Sequence, residues 1–358
     1  MSARAGIVWL VAPALVLAAG MIFDIHSTLA AYLVVWIALG AIPIGALGIL
    51  MMSYLVRWTW TAALRPILLS ATAALPLVAL LFMPMLLWMA SVYPAAADPT
   101  ALKPFKAVYL APWFFGLRTI VYFTIWSLLA LWLRQAGTNS DRMTRAAAIG
   151  LIVYALTVSL AGVDWLESIE PDFHSSIYGL LFLSFSMLNG LAFAIAGGLL
   201  SRRRIGSRKA YSALLLSMIL VWAYLHAMQY LVIWSGNIPD EVTWYLKRSS
   251  HGWQVVLAAL SLGQFIFPFF ALLIERIRGD RNWLLGLCAL TLLMRCVEAA
   301  VLVLPPLDHL HPVATCLMLV AGLLFVAASV WKMFDAAFSR SAGAVIPVGW
   351  LRGETGSK

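Results

Sequence analysis

The chain has 358 residues, of which 63% are hydrophobic and only 11% charged, and its mean hydropathy is +0.93. Soluble domains carry about 25% charged residues. A soluble enzyme is therefore excluded, and the net charge of +9 has to be read by its distribution before it is read as a nucleic-acid footprint. The composition is that of an all-α, polytopic membrane protein.

Apolar runs of about 20 residues cross about 30 Å of hydrocarbon as helices. Ten such runs are predicted, over 6–23, 29–55, 66–88, 109–133, 146–163, 177–200, 211–233, 253–274, 283–304 and 312–331. Period-two alternation is absent, which excludes a β-barrel. The first run continues past Ala18, Ala19 and Gly20 through Met21-Ile22-Phe23, so it is read as a retained helix rather than a cleaved signal. The second run carries Pro43 among Gly40, Gly45 and Gly48, and the third carries Pro76 and Pro84. Small residues favour close helix packing, and proline interrupts or bends the ladder. No internal repeat is visible and no long linker divides the chain. Residues 1–334 form one membrane domain, followed by a short tail at 335–358.

Eighteen of the 24 Lys and Arg fall on one side of this arrangement, here called side A. Side B holds only Lys103, Lys106, Lys247 and Arg248, while Arg118 and Arg295 lie within helices. Basic loops stay in the cytoplasm, so side A is expected to be cytoplasmic, with both termini there. The RRRIGSRK turn at 202–209 suits anionic lipid headgroups, and no nucleic-acid partner is implied. Tryptophans near helix ends, Trp58, Trp60, Trp88, Trp165, Trp234, Trp244, Trp253 and Trp283, are expected to form an interfacial belt.

Absent motifs narrow the chemistry. Only His226 among the histidines lies in a spanning run, so a bis-histidine haem has no ligand pair. No CxxCH, CxxC or nucleotide-binding loop occurs. The three cysteines lie within helices and read as packing residues. No catalytic residue, metal ligand or prosthetic group is assigned to this chain.

Charge inside a membrane is rare and functional by default. Arg118, His226, Arg295 and Glu298 sit roughly 9–13 Å below the side-B boundary at 1.5 Å per residue. The side-A half holds no charge at that depth. Glu298 follows Arg295 by three residues and shares its helix face, which fits either a structural ion pair or a proton-conducting carboxylate tuned by its arginine. His226, Gln229 and Tyr230 share a face as well, and fit interhelical bonding, a proton relay or a quinone headgroup. Arg118 needs a partner, and Glu298, the Asp164–Glu170 carboxylates and a backbone carbonyl all remain open.

The densest polar stretch is VDWLESIEPDFHSSIYG at 163–179. It holds Asp164, Glu167 and Glu170 on side B, and Pro171 is expected to end helical structure at Glu170. An interfacial turn that presents carboxylates to the polar half is predicted. Asp164, Glu167, Glu170, His226, Glu298, Arg295 and Arg118 are thus the candidates for a proton path.

The run DWLESIEPDFHSSIYG resembles the DWxxSxEPxxxSTxYG signature of the second quinone-binding-type membrane subunit of alternative complex III, a bacterial quinol:cytochrome c oxidoreductase. That family is related to the polysulfide reductase-type membrane subunits. FFGLRTIVYFTIW resembles the family's aromatic helix around an arginine, and QYLVIWSGNIPDEVTWY resembles its Q[FY]LxIWxxNxPxE loop. Asp172-Phe173 stands where the family often has His and an aromatic. The resemblance implies two four-helix bundles plus flanking helices and no prosthetic group bound by this chain. It implies as partners a sister polysulfide reductase-type membrane subunit, an iron–sulfur subunit and haem c-bearing cytochrome c subunits, in a bacterial inner (plasma) membrane. The resemblance falls on Asp164, Glu167, Glu170, Arg118, Gln229, Asn237 and Glu241; with Tyr230 from the shared helix face, Gln229, Asn237 and Glu241 are the candidate contacts for quinol or subunits. The competing reading is a stand-alone secondary transporter, which would show an internal repeat and broken helices meeting at the midplane. A purely structural anchor is a third.

Overall fold

The computed structural model describes residues 15–56, 59–98, 100, 103–135, 140–201, 207–250, 252–307 and 310–325. Among them the chain is helical, with no strand. Among these described residues, eight helices are long and apolar enough to cross a membrane. Of the ten predicted runs, the first is described only over 15–23, which is helical. The last is described as a shorter apolar helix, Pro312–Phe325. The remainder of both runs and the tail at 335–358 lie outside the described residues.

The first crossing is α1 (Ile25–Leu55), continuous through Pro43. Asp24 caps it by accepting from the His26 N–H at 3.0 Å, and Ser27 Oγ donates to the same carboxylate. The second crossing, Ala63–Leu87, is broken into α2 (Thr59–Thr72), α3 (Leu75–Leu80) and α4 (Met83–Leu87). Pro76 and Pro84 each stand in the first turn of a new piece, where the missing N–H costs nothing. Short helices α5 (Pro94–Ala97) and α6 (Pro104–Tyr109) lead to α7 (Pro112–Gln135) and α8 (Ser140–Trp165).

After the acidic stretch come α9 (Tyr178–Leu200), α10 (Arg208–Gly236) and a short amphipathic helix α11 (Pro239–Arg248). The seventh crossing starts as α12 (Trp253–Ser261), passes through a π turn at Leu262–Ile266, and ends as α13 (Phe267–Leu273). Then follow α14 (Glu275–Gly279) and α15 (Arg281–Val303).

Helices α1, α2–α4, α7 and α8 pack as one four-helix bundle, and α9, α10, α12–α13 and α15 as a second. The bundles join through α1 and α9, the most extensive helix pair among the described residues. Every residue in the apolar window of α1 is buried, and 83% of that in α9. Small residues permit this closeness. A Cβ on Gly45 would fall 1.6 Å from the Ser186 carbonyl oxygen, and one on Gly190 would fall 2.3 Å from the Ala46 nitrogen. The approach is reciprocal. Moreover α1 packs on α15 much as α9 packs on α8, so the bundles repeat one arrangement in the same chain order. This repeat is not visible in the sequence, because bundle packing constrains the position of apolar and small residues and not their identity.

Candidate functional site

The acidic stretch sends its carboxylates in three directions. Helix α8 ends at Trp165, a 3₁₀ turn covers Glu167–Ile169, and Glu170 turns extended before Pro171 with φ −118° and ψ 85°. Asp164 turns into the first bundle, Glu170 turns toward α11, and Glu167 stays on the α8–α9 side.

Asp164, fully buried, is the partner of Arg118. Arg118 Nε and Nη2 donate to its two oxygens at 2.8 and 2.9 Å, and Nη1 donates to the Tyr109 carbonyl at 2.7 Å. Tyr122 OH adds a bond to Asp164 at 2.7 Å. The Tyr109 ring lies 3.9 Å from the guanidinium carbon. Every nitrogen of Arg118 is thus occupied. The surroundings are aromatic. Trp165 is fully buried against Trp36 (5.0 Å between ring centroids), Phe82 (5.3 Å) and Phe123 (5.6 Å), and donates to Thr119 at 3.2 Å.

Glu170 pairs with Arg248, a residue that the sequence places only among the side-B loop charges. Arg248 is fully buried. It donates to Glu170 Oε1 (2.8 Å) and to the carbonyls of Trp244 (2.9 Å), Val301 (2.9 Å) and Leu302 (3.0 Å). Val301 and Leu302 belong to the last turn of α15, whose carbonyls lack intrahelical partners and favour a cation. The guanidinium lies 3.7 Å from the Trp244 ring centroid, and Phe173 stacks on the same tryptophan at 5.6 Å. The signal in the sequence is the Trp244–Arg248 spacing of one helical turn on an amphipathic segment. Trp165 and Trp244 are therefore core residues, not members of the interfacial belt. Trp88, Trp234 and Trp283 are exposed on the helix bundle, as a belt requires.

The second bundle holds the other ion pair. Arg295 Nη1 meets Glu298 Oε2, and both side chains are nearly or fully buried. Trp222 Nε1 donates to both Glu298 oxygens at 3.1 Å, and His226 Nε2 lies 3.0 Å from Oε1. Trp222 and His226 come from α10 one turn apart, and Arg295 and Glu298 from the facing α15. The Arg295 guanidinium stands 4.8 Å from the Trp222 ring centroid and 5.5 Å from that of Phe185. Glu298 lies five residues before the end of α15, roughly 8 Å inside.

Unlike the Arg118 site, this one keeps unused hydrogen-bonding capacity. Arg295 Nε and Nη2 have no acceptor, and Thr291 Oγ1, one turn earlier, has no partner. Both amide atoms of Gln229 and of Gln264 are likewise unpartnered, although these residues are 2% and 0% exposed. A buried polar group without a partner costs about 1–3 kcal/mol. Gln264 stands in the π turn, a geometry that recurs at functional sites. A Cβ on the adjacent Gly263 would reach Met294 Sδ at 2.7 Å, so this turn packs tightly on α15 beside Arg295. Helix α10 packs on the π turn and α13 but hardly on α12. The bundle is thus looser toward side B, where the His226 side chain is 28% exposed.

The remaining candidates separate. Tyr230 does not share the buried face of Gln229, being 54% exposed and packed against Tyr245 at 5.3 Å. Asn237 is the left-handed C-cap of α10 at φ 48°, a position that asparagine tolerates. Glu241 lies in the first turn of α11. Among the described residues no group of three or more His, Cys, Asp or Glu side chains could hold a metal ion.

Comparisons with family models and with curated proteins gave no match to this chain.

Proposed function

We propose that this chain is a cofactor-free integral membrane subunit of a bacterial quinol:cytochrome c oxidoreductase of the alternative complex III type, in which the second bundle supplies a proton-transferring group. The observation that carries the proton role is the Glu298 site. A carboxylate, a histidine and an arginine stand together inside a spanning bundle, beside glutamine and threonine side chains with unused bonds. Moving one charge through 100 mV costs about 2.3 kcal/mol, so a path needs buried titratable groups with spare hydrogen bonds around them. Glu298 and His226 are the titratable pair. Arg295 holds Glu298 in place, and Gln229, Gln264 and Thr291 are the bonds onward. Arg118–Asp164 and Arg248–Glu170 are closed pairs and serve the fold. The complex assignment rests on the resemblance of the 163–179, 114–126 and 229–245 stretches. In that setting the haem c and iron–sulfur groups belong to partner subunits, quinol is oxidised next to this chain, and side A faces the cytoplasm.

Pulldown from native membranes with haem spectroscopy tests the assignment. Co-purification with c-type cytochromes and an iron–sulfur protein is expected, and isolation of the chain without them would end it. The like-ordered bundles and the interrupted second crossing favour a secondary transporter as the second reading. Isolation alone, with substrate-coupled proton flux, would be its signature.

A further inference from the structure

A separate site lies at the side-B edge of the α8–α9 hairpin. A cavity of about 380 Å³ is lined by Ser159, Leu160, Glu167, His174, Ser175 and Leu180 among others. It takes no part in the two buried ion pairs of that region. Its lining groups are of three kinds.

The first kind accepts hydrogen bonds. Glu167 Oε1 accepts from the Ser175 N–H at 3.3 Å, while Oε2 is buried with no partner. His174 Nδ1 lies 2.8 Å from the Asp172 carbonyl. A carbonyl only accepts, so Nδ1 carries a proton there.

The second kind favours an anion. The cavity reaches the N-terminus of α9, a 23-residue helix whose N-cap Ile177 provides no side-chain bond. The Tyr178 N–H donates to the Ser175 carbonyl at 3.1 Å, whereas the Gly179 and Leu180 N–H groups have no cap, and such a terminus attracts phosphate. Ser175 and Ser176 stand at the same place.

The third kind is apolar and open to the side. Leu160 and Leu180 are 47% and 46% exposed on the spanning faces of α8 and α9. A ligand can therefore keep its tail in hydrocarbon while its head lies in the cavity.

We infer that this cavity binds an aminophospholipid of the phosphatidylethanolamine class, its ammonium on Glu167, its phosphate at the α9 N-terminus and its chain between Leu160 and Leu180. An ammonium brings three N–H donors, which suits a buried carboxylate oxygen with no partner. A neutral hydroquinone would leave the uncapped helix terminus unused. Such a lipid can bind this hairpin in a transporter as well as in a respiratory subunit, so the site is independent of the respiratory assignment.

The test uses the full chain, with whatever partners co-purify, in nanodiscs of phosphatidylethanolamine or of phosphatidylcholine, read by native mass spectrometry. Phosphatidylcholine carries a quaternary ammonium without N–H donors. One tightly held phosphatidylethanolamine per chain is expected, with weaker retention of phosphatidylcholine. Glu167→Gln removes a charged acceptor and should lower that retention by about tenfold. Leu180→Trp fills the chain groove with Glu167 intact and should lower it too, so the inference stays testable if the first variant does not fold. Equal retention of the two lipids by the wild type would overturn it. So would retention unchanged in Leu180→Trp, or a quinol found in place of the phospholipid.

Discussion

Glu298 on α15 and His226 on α10 meet at 3.0 Å inside the second bundle, with Trp222 donating to both oxygens of the same carboxylate. Arg295 meets the carboxylate from the other side and keeps two nitrogens free of acceptors. The Arg118–Asp164 pair shows the opposite condition, since every nitrogen there has a partner. Arg118–Asp164 and Arg295–Glu298, two of the three buried arginine–carboxylate pairs among the described residues, thus differ in their reserves of hydrogen bonding. The open pair suits proton transfer, and the closed pair suits the fold.

The Arg295–Glu298 pair should behave as a unit in stability. Removing one partner of a buried pair costs about 3–5 kcal/mol, whereas replacing both by apolar residues of similar volume is near neutral. Glu298→Met and Arg295→Met should each lower the unfolding temperature in detergent. The double variant should recover most of it. Thermal scanning of intrinsic tryptophan fluorescence measures this, and additive losses in the double variant would break the unit.

Asp164→Asn should act on the fold alone. It strands Arg118 in an aromatic interior and takes an acceptor from Tyr122, at a cost of about 3–5 kcal/mol. Yield and thermal stability should fall. In the proposed complex, activity normalised to haem should not change. A normal yield with lost proton coupling would move Asp164 from the fold to the path.

Arg248→Lys should loosen side B although the charge is kept. A lysine has three donors on one nitrogen and cannot reach Glu170 and the carbonyls of Trp244, Val301 and Leu302 together. Hydrogen exchange should rise in α11 and in the last turn of α15. Exchange at wild-type levels in both would show that the clamp is dispensable.

How much of this is legible in the sequence depends on distance along the chain. Hydrophobic runs give the crossings, since each needs only its own residues to be apolar. The Arg295–Glu298 pair is legible because three residues place both on one face. The partner of Arg118 is not, because Asp164 is 46 residues away and three candidates stay open. Trp165, Trp244 and Arg248 are misplaced by the sequence for one reason. Position near a helix end suggests an interface, but the 3₁₀ turn and α11 fold inward and bury them. The π turn is hidden because Leu262–Ile266 has the composition of any apolar helix.

Stability at acid pH should depend on Asp24. The Ser27 hydroxyl, and then the Ser27 and His26 backbone groups, hold its carboxyl below its usual value of 3.8. A carboxylate whose folded value is depressed stabilises the fold above its unfolded value, and that contribution fades as pH falls through the folded one. Ser27 Oγ also accepts from the His311 N–H at 2.7 Å, so the start of α1 and the 310–315 segment are tied together. Hydrogen exchange at 310–315 should rise as pH falls below about 4. In Asp24→Asn the exchange should be high and independent of pH over that range. A wild type insensitive to pH there would contradict the tie.

The central claim is that Glu298 moves protons within a quinol-oxidising complex, and the proton-to-electron ratio of that complex in proteoliposomes tests it most directly. Glu298→Gln, compared with the wild type at equal haem content and equal electron flux, should show a lower ratio. A ratio equal to that of the wild type would contradict the claim.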